Sequence, residues 1–190
     1  MTVDELIAVT RARLATRRRR VVESGPLIQA AVLVPVVDRG EPYMLFTKRT
    51  DRVGSHKGQI SFPGGHVDPG DADFLTTALR EAEEEIGLPR HLVEPLGALD
   101  DTETFATQFV ITPWVGVVRV PVAWQPDGEE IEKVIEVPLA ALRAEGAVRI
   151  EHWTSEGVTR PILFYDYRGE TIWGATARIL KHYLDLLEGA

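Results

Sequence analysis

Four glutamates fall between positions 81 and 85 in the stretch REAEEEIG, which closes a run of helical periodicity from Phe74 to Ile86. Gly87 supplies the stop, because glycine accepts the left-handed conformation that ends a helix. At 100° per residue, Leu75, Leu79, Ala82 and Ile86 fall on one side of this helix and can pack on a sheet. Glu81, Glu84 and Glu85 stand at i, i+3 and i+4 and share another face, while Glu83 points elsewhere. Like charges at these spacings destabilise a helix by about 0.2–0.5 kcal/mol per pair, and each anion near the C-terminus by about another 0.3–1 kcal/mol. Stability alone does not select such an arrangement. A hard divalent cation reverses the sign of the problem, since it takes oxygen ligands; magnesium is the first candidate and manganese the second. A solvated acidic helix face is the competing explanation.

The neighbourhood bears on that choice. Arg80 sits one residue before the cluster, where a guanidinium can brace a carboxylate through a forked pair of hydrogen bonds. Upstream, FPGGHVDPGD supplies a glycine turn into the helix, so backbone groups can approach a ligand closely. The chain holds no cysteine, which removes disulfides, thiolate nucleophiles and thiolate-held metals. Any metal is therefore held by oxygen or imidazole.

The 190 residues suit a single domain spanning 1–190, with residues 1–25 as a helical N-terminal extension begun by Thr2 or Asp4. LIQAAVLVPVV reads as a buried strand, RGEP as a turn and YMLFTKR as a second strand, together a hairpin. VEPLGALDD, FVITPWVGVVRV and EKVIEVPL read as further strands, LAALRA as a short helix, and TARILKHYLDLL from Thr176 as a closing amphipathic helix. Strands and helices interleave without regular alternation, so the expected fold class is α/β (α+β) with a mixed sheet covered by helices. No apolar run approaches the roughly 20 residues that span a bilayer, and no basic region precedes the first apolar residues. A cytoplasmic protein without membrane contact is the default. The net charge of −8 argues against nucleic-acid binding, although Arg11–Arg20 is locally basic. That run reads as a solvated helix end or as a contact for an anionic ligand or partner.

GGHVDPGDADFLTTALREAEEEIGL, Gly64 to Leu88, resembles over residues 65–88 the Nudix box, G-x5-E-x7-R-E-U-x-E-E-x-G-U, where U is a bulky apolar residue. Arg80, Glu81, Glu84, Glu85, Gly87 and Leu88 match, with small Ala82 at the first apolar position. The first half departs from it: Asp71 stands where a glutamate is usual, and eight residues rather than seven separate it from Arg80. The role of Asp71 is left open by this inserted residue, whereas the spacing of the three helix glutamates is intact. LFTKRTDRVGSHKGQISFPGG, Leu45 to Gly65, resembles the segment preceding the box in the coenzyme A pyrophosphatase branch, and LGALDD, VITPWVG, EVPLAAL and IWGATARIL follow in that branch's order.

The resemblance implies a Nudix fold, an α/β/α sandwich with a mixed sheet, and hydrolysis that needs Mg2+ or Mn2+. It implies metal contacts from Glu81 and Glu85, with Glu84 and the Gly65 carbonyl in the same shell, and an orienting role for Arg80. The general base is Glu84 or a loop acid, of which Glu130 best matches the branch. Lys48, Arg49, His56 and Lys57 are candidates for substrate phosphates, and Gln59 for fixing the loop ahead of Gly64. Each also has a surface or loop-bracing explanation. Trp173, Ile179 and Leu180 are expected to pack the last helix on the core. The implied partner is a small nucleotide: coenzyme A or a derivative, split into 3′,5′-ADP and (acyl-)4′-phosphopantetheine. Alternatives are ADP-ribose, NADH or another nucleoside diphosphate derivative, or a module that binds a nucleotide without cutting it. A homodimer is compatible with the sequence.

Overall fold

A computed structural model describes residues 1–52, 57–104, 108–119, 122–155 and 157–189. Its centre is strand β1 (Ile28–Asp38), buried from Ala30 to Val37. Such a strand reads as a continuous apolar run because both of its faces are covered. It turns at Gly40 into β2 (Pro42–Arg49), and the short β3 (Ile60–Ser61) and β4 (Gly64–His66) follow. β2 and β4 share one side of β1: Val36 to Asp38 pair with Met44 to Pro42, and Ala30 to Val32 pair with His66 to Gly64. Between these two pairings, the Leu33 N–H donates to the Pro63 carbonyl at 2.9 Å.

Helix α1 (Val3–Thr16) precedes the sheet, and α2 (Phe74–Ile86) follows β4. β5 (Val93–Ala98), β6 (Thr102–Glu103), β7 (Phe109–Arg119) and β8 (Ile131–Pro138) complete the main sheet. Its order is β3-β2-β1-β7-β5, with β8 on β2 and β6 on β7; the β1–β7 pairing is parallel and the sheet is therefore mixed. A short α3 (Leu139–Leu142) leads to an antiparallel second sheet of β9 (Val148–Ser155), β10 (Val158–Tyr167) and β11 (Glu170–Trp173), and α4 (Gly174–Glu188) closes the chain.

Alternation along β1 divides the core in two. Ala31, Leu33 and Val37 meet Ala78, Ala82 and Ile86 of α2; Val32, Val34 and Val36 share the opposite cluster with Leu6 of α1 and Ile179, Leu180 and Tyr183 of α4. The result is the expected α/β/α sandwich.

Several expectations meet the structure closely. α2 runs from Phe74 to Ile86 and ends on Gly87 at φ 67°. Thr2 caps α1 through a reciprocal box with Glu5. Other details differ. The N-terminal extension is helical only to Thr16, after which residues 17–25 run irregularly beside the main sheet. Arg11, Arg13, Arg18 and Arg20 are exposed, as a solvated helix end implies, while Arg17 and Arg19 are half-buried, and several of these arginines are engaged within the chain. Arg17 pairs with Asp100 at 2.5 Å, Arg19 pairs with the buried Asp101, and Arg11 pairs with Glu94 at 2.8 Å. Charges that lie far apart in sequence thus strap the extension to the sheet. Ile179 and Leu180 enter the core, but Trp173 stacks on Phe164 at 6.2 Å, on the sheet face opposite buried Tyr165 and Ile172.

Candidate active site

The double-glycine turn is held against the acidic helix by steric necessity. Gly64 has φ 154°, and a side chain there would collide with the backbone of Ala31 and Val32. A Cβ on Gly65 would lie 2.5–2.7 Å from the Glu81 carboxylate, so that carboxylate rests directly on the glycine. The Gly64 N–H donates to Glu85 Oε2 at 3.2 Å. The buried stripe of α2 is Ala78, Ala82, Glu85 and Ile86 with Thr77, rotated from the expected Leu75 and Leu79 toward the glutamates. Small alanines let the helix approach the sheet closely, and this turns Glu85 inward: the residue is 6% exposed.

Burial consequently pushes the Glu85 carboxyl up to about 8; the Glu81 and Glu130 charges reinforce the rise, and the Gly64 amide and Arg49 oppose it. Burial also raises the Glu81 carboxyl above its ordinary range, with Arg80 pulling the other way and the Glu84 and Asp68 charges adding to the rise. Glu84 lies at the surface, and Glu83 leaves the face to pair with Arg90 at 2.7 Å.

Arg80 organises the group. Its Nε and Nη2 form a fork on Asp71 at 3.1 and 3.0 Å, its Nη1 donates to Glu81 at 2.9 Å and Glu84 at 3.1 Å, and its Nη2 also reaches the His66 carbonyl at 3.0 Å. The role left open for Asp71 is therefore visible. Its side chain is 5% exposed, and it accepts from Thr77 Oγ1 at 2.8 Å and Asp68 N–H at 3.0 Å as well as from the fork. The Arg80 fork, joined by those donors, holds its carboxyl well below the usual carboxylate range. Two residues after Asp71, Asp73 caps α2 by accepting from Thr76 N–H at 2.7 Å.

A second wall comes from the end of β2 and the loop before β8. Arg49 Nη2 donates to Glu130 at 2.9 Å, while Arg49 Nε is buried without a partner among the described residues. The Arg49 N–H donates to the Gln59 carbonyl at 2.9 Å, so Gln59 braces this loop through its backbone. Lys48 turns away to Glu170 at 3.1 Å, and Lys57 is exposed. His56 lies outside the described residues. Asp127, not singled out from the sequence, accepts from three successive amides of this loop. The turn chemistry of PDGEE carries that signal, since Asp before Gly favours such side-chain-to-backbone turns.

Among the described residues, no three carboxylate or imidazole groups stand close enough to enclose an ion. Arg80 draws Glu81 and Glu84 to itself, whereas Glu85 leans to Gly64. The donor set nonetheless suits a hard cation: three carboxylates on successive turns of one helix, Glu84 exposed at the surface, and a glycine surface kept bare beneath Glu81. Two of these carboxylates sit where burial opposes their charge, the condition a cation relieves.

The fold is an α/β/α sandwich in which an acidic helix lies over a glycine turn, the arrangement expected of a Nudix hydrolase. The chain belongs to the Nudix hydrolases: the NUDIX domain model matches residues 27–156. It is 36% identical over 154 residues, 81% of this chain and 77% of each relative, to proteins of Yersinia pestis and Yersinia pseudotuberculosis named "Uncharacterized Nudix hydrolase NudL". Among solved structures, a MutT/nudix family protein from Enterococcus faecalis has TM-score 0.57 at 12% identity, covering 100% of this chain and 70% of that one. A C. elegans Ap4A hydrolase has TM-score 0.51 at 21% identity, covering 60% of this chain and 83% of that one. At these identities the structural likeness is one of fold. Members of the family use divalent metals such as Mg2+ or Mn2+, and no helix among the described residues is long and apolar enough to cross a membrane.

Proposed function

We propose that this chain hydrolyses the pyrophosphate linkage of coenzyme A or a derivative, releasing 3′,5′-ADP and 4′-phosphopantetheine or its acylated form. One observation supports the reading: two ends of the segment that resembles the coenzyme A branch meet the carboxylates, Arg49 on Glu130 at 2.9 Å and the Gly64 amide on Glu85 at 3.2 Å.

Glu81, Glu84 and Glu85, with the Gly65 carbonyl, would hold Mg2+ or Mn2+. A divalent cation there supplies charge neutralisation on the phosphoryl oxygens and a more acidic water. Asp71 and Arg80 fix the helix side of the site, since the fork leaves the guanidinium one orientation. Glu130 takes the proton of the attacking water in this reading. It stands across the site from α2, while Glu84 is tied to Arg80. Arg49, whose guanidinium reaches the site beside Glu130, meets a phosphoryl oxygen, and Lys57 stands further along the same loop; Lys48 is committed to Glu170.

The test is a panel of coenzyme A, acetyl-CoA, ADP-ribose, NADH and diadenosine polyphosphates, incubated with the protein and Mg2+ or Mn2+ and resolved by mass. Release of 3′,5′-ADP from coenzyme A at far higher kcat/KM than AMP from the others supports the reading. Preference for ADP-ribose or NADH overturns the substrate, and tight binding without cleavage overturns the catalytic role.

A further inference from the structure

Glu130 lies on an exposed loop, and an exposed loop is a poor place for a group that must meet one atom, because a displacement of about 1 Å is enough to cost a hundredfold in rate. What fixes this loop is therefore part of the site. Thr50 holds one side: its N–H donates to the Glu130 carbonyl and its hydroxyl to the Glu129 carbonyl, both at 2.8 Å. Asp127 holds the other. Its Oδ1 accepts from the N–H groups of Glu129 at 3.0 Å, Glu130 at 3.0 Å and Ile131 at 2.8 Å. The Asp127 N–H donates to the Glu85 carbonyl at 3.1 Å, and the Gln125 N–H donates to the Ile86 carbonyl at 2.9 Å.

The last two bonds tie the loop to carbonyls that the end of α2 leaves without helical partners. Asp127 thus joins two halves of the site through one residue. Its backbone grips the carbonyl of Glu85, whose side chain faces the glycine turn, and its side chain folds Glu129 to Ile131 around a single oxygen. Arg49 holds the Glu130 carboxylate itself at 2.9 Å, so backbone and side chain of this residue are both tied.

We infer that Asp127 is a positioning residue that sets Glu130 relative to the carboxylates of α2; this rests on the reading that Glu130 acts on the attacking water. Loss of the Asp127 carboxylate frees three amides and lets Glu130 wander, while substrate binding at Arg49 and the glycine turn persists. The signature is a fall in kcat with little change in KM.

The experiment compares Asp127→Ala, Asp127→Asn, Glu130→Gln and the double variant Asp127→Ala/Glu130→Gln with the substrate found best in the panel. Asp127→Ala is expected to lower kcat about ten- to a hundredfold at nearly constant KM, and to speed hydrogen exchange at Glu129, Glu130 and Ile131. Asp127→Asn keeps an acceptor oxygen and should return kcat to within about threefold of wild type, which also covers the case in which the alanine variant folds poorly. The double variant should be no slower than Glu130→Gln alone, because Asp127 acts only through Glu130. Wild-type kcat in Asp127→Ala beside an impaired Glu130→Gln overturns the positioning role alone, as does a further loss in the double variant. Wild-type kcat in Glu130→Gln overturns the underlying role of Glu130, and the positioning role with it.

Discussion

Replacing Glu85 with Gln isolates the charge that the fold buries at the end of α2. Glutamine keeps nearly the same shape and an oxygen to accept the Gly64 N–H, so the change removes the ionisation and little else. In the metal-free protein, the folded state retains the Glu85 proton up to about pH 8, while the unfolded chain releases it near the ordinary 4.5. The folded state therefore binds more protons across that window, and stability falls as pH rises through it. The rise from 4.5 to about 8 caps the effect at about 5 kcal/mol. Relaxation and nearby water, in a medium of dielectric closer to 20 than 4, bring the observable part to about 2 kcal/mol. For a chain of this size that is about 4–8 °C in Tm. Thermal melts in chelator from about pH 5 to about pH 8.5 should show wild type losing this amount relative to Glu85→Gln. Saturation with Mg2+ or Mn2+ at about a hundredfold over Kd should add about 2.7 kcal/mol to wild type at the alkaline end and much less to the variant, whose turnover should be nearly abolished. Parallel pH profiles in chelator, or equal metal shifts in the two proteins, would refute the reasoning.

Three further outcomes follow from contacts around the site and the N-terminal strap. Asp71→Asn removes the anion from the Arg80 fork and should lower stability by about 2–3 kcal/mol in urea titrations near neutral pH. Because the Asp71 carboxyl is held below its usual range, that difference should be present above pH 3.8 and shrink below it; a difference unchanged in acid would count against the fork. Gly64→Ala and Gly65→Ala should separate fold from site: the first strikes backbone and should unfold or strongly destabilise the protein, whereas the second strikes only the Glu81 carboxylate. Gly65→Ala should keep the wild-type circular dichroism spectrum while weakening metal-induced stabilisation by about tenfold in Kd, as displacement of a ligand does. Arg19→Ala leaves Asp101, 3% exposed, without its cation and should cost about 3 kcal/mol of stability. Its kcat at 25 °C should equal wild type, and a selective loss of activity would mean that the basic segment meets substrate.

The elements around the site were legible in the sequence where a local rule and a tertiary demand coincide. α2 is bounded at Phe74 and Gly87 because periodicity and a glycine stop agree, and β1 is legible because burial on both faces makes it apolar throughout. The second sheet was not legible. β9 is largely exposed and β10 alternates weakly, so a hydrophobic pattern marks neither. Long-range pairs were equally hidden: no local rule connects Arg17 to Asp100 or Arg49 to Glu130. Helical spacing places Leu75, Leu79, Ala82 and Ile86 on the packing face of α2; Ala82 and Ile86 are buried there, but Ala78 and Glu85 take the buried positions in place of Leu75 and Leu79, because a helix lying close over β1 and the glycine turn favours small side chains.

That choice of small residues explains the asymmetry of the carboxylates. Asp68, Asp71, Glu81 and Glu84 all lie within 3.5 Å of Arg80, so one guanidinium balances much of the negative charge at the start of the site. Glu85 is one turn beyond Glu81 and makes no ion pair among the described residues; it has one amide hydrogen bond and the more distant field of Arg49. Had α2 stood further from the sheet on leucines, Glu85 would be solvated and its ionisation ordinary. Close packing leaves Glu85 buried with no balancing cation beside it among the described residues, next to a second carboxylate resting on Gly65. The crowding of REAEEEIG is thus unequal by construction: Arg80 settles the outer acids, and the inner pair keeps the demand that a divalent cation meets.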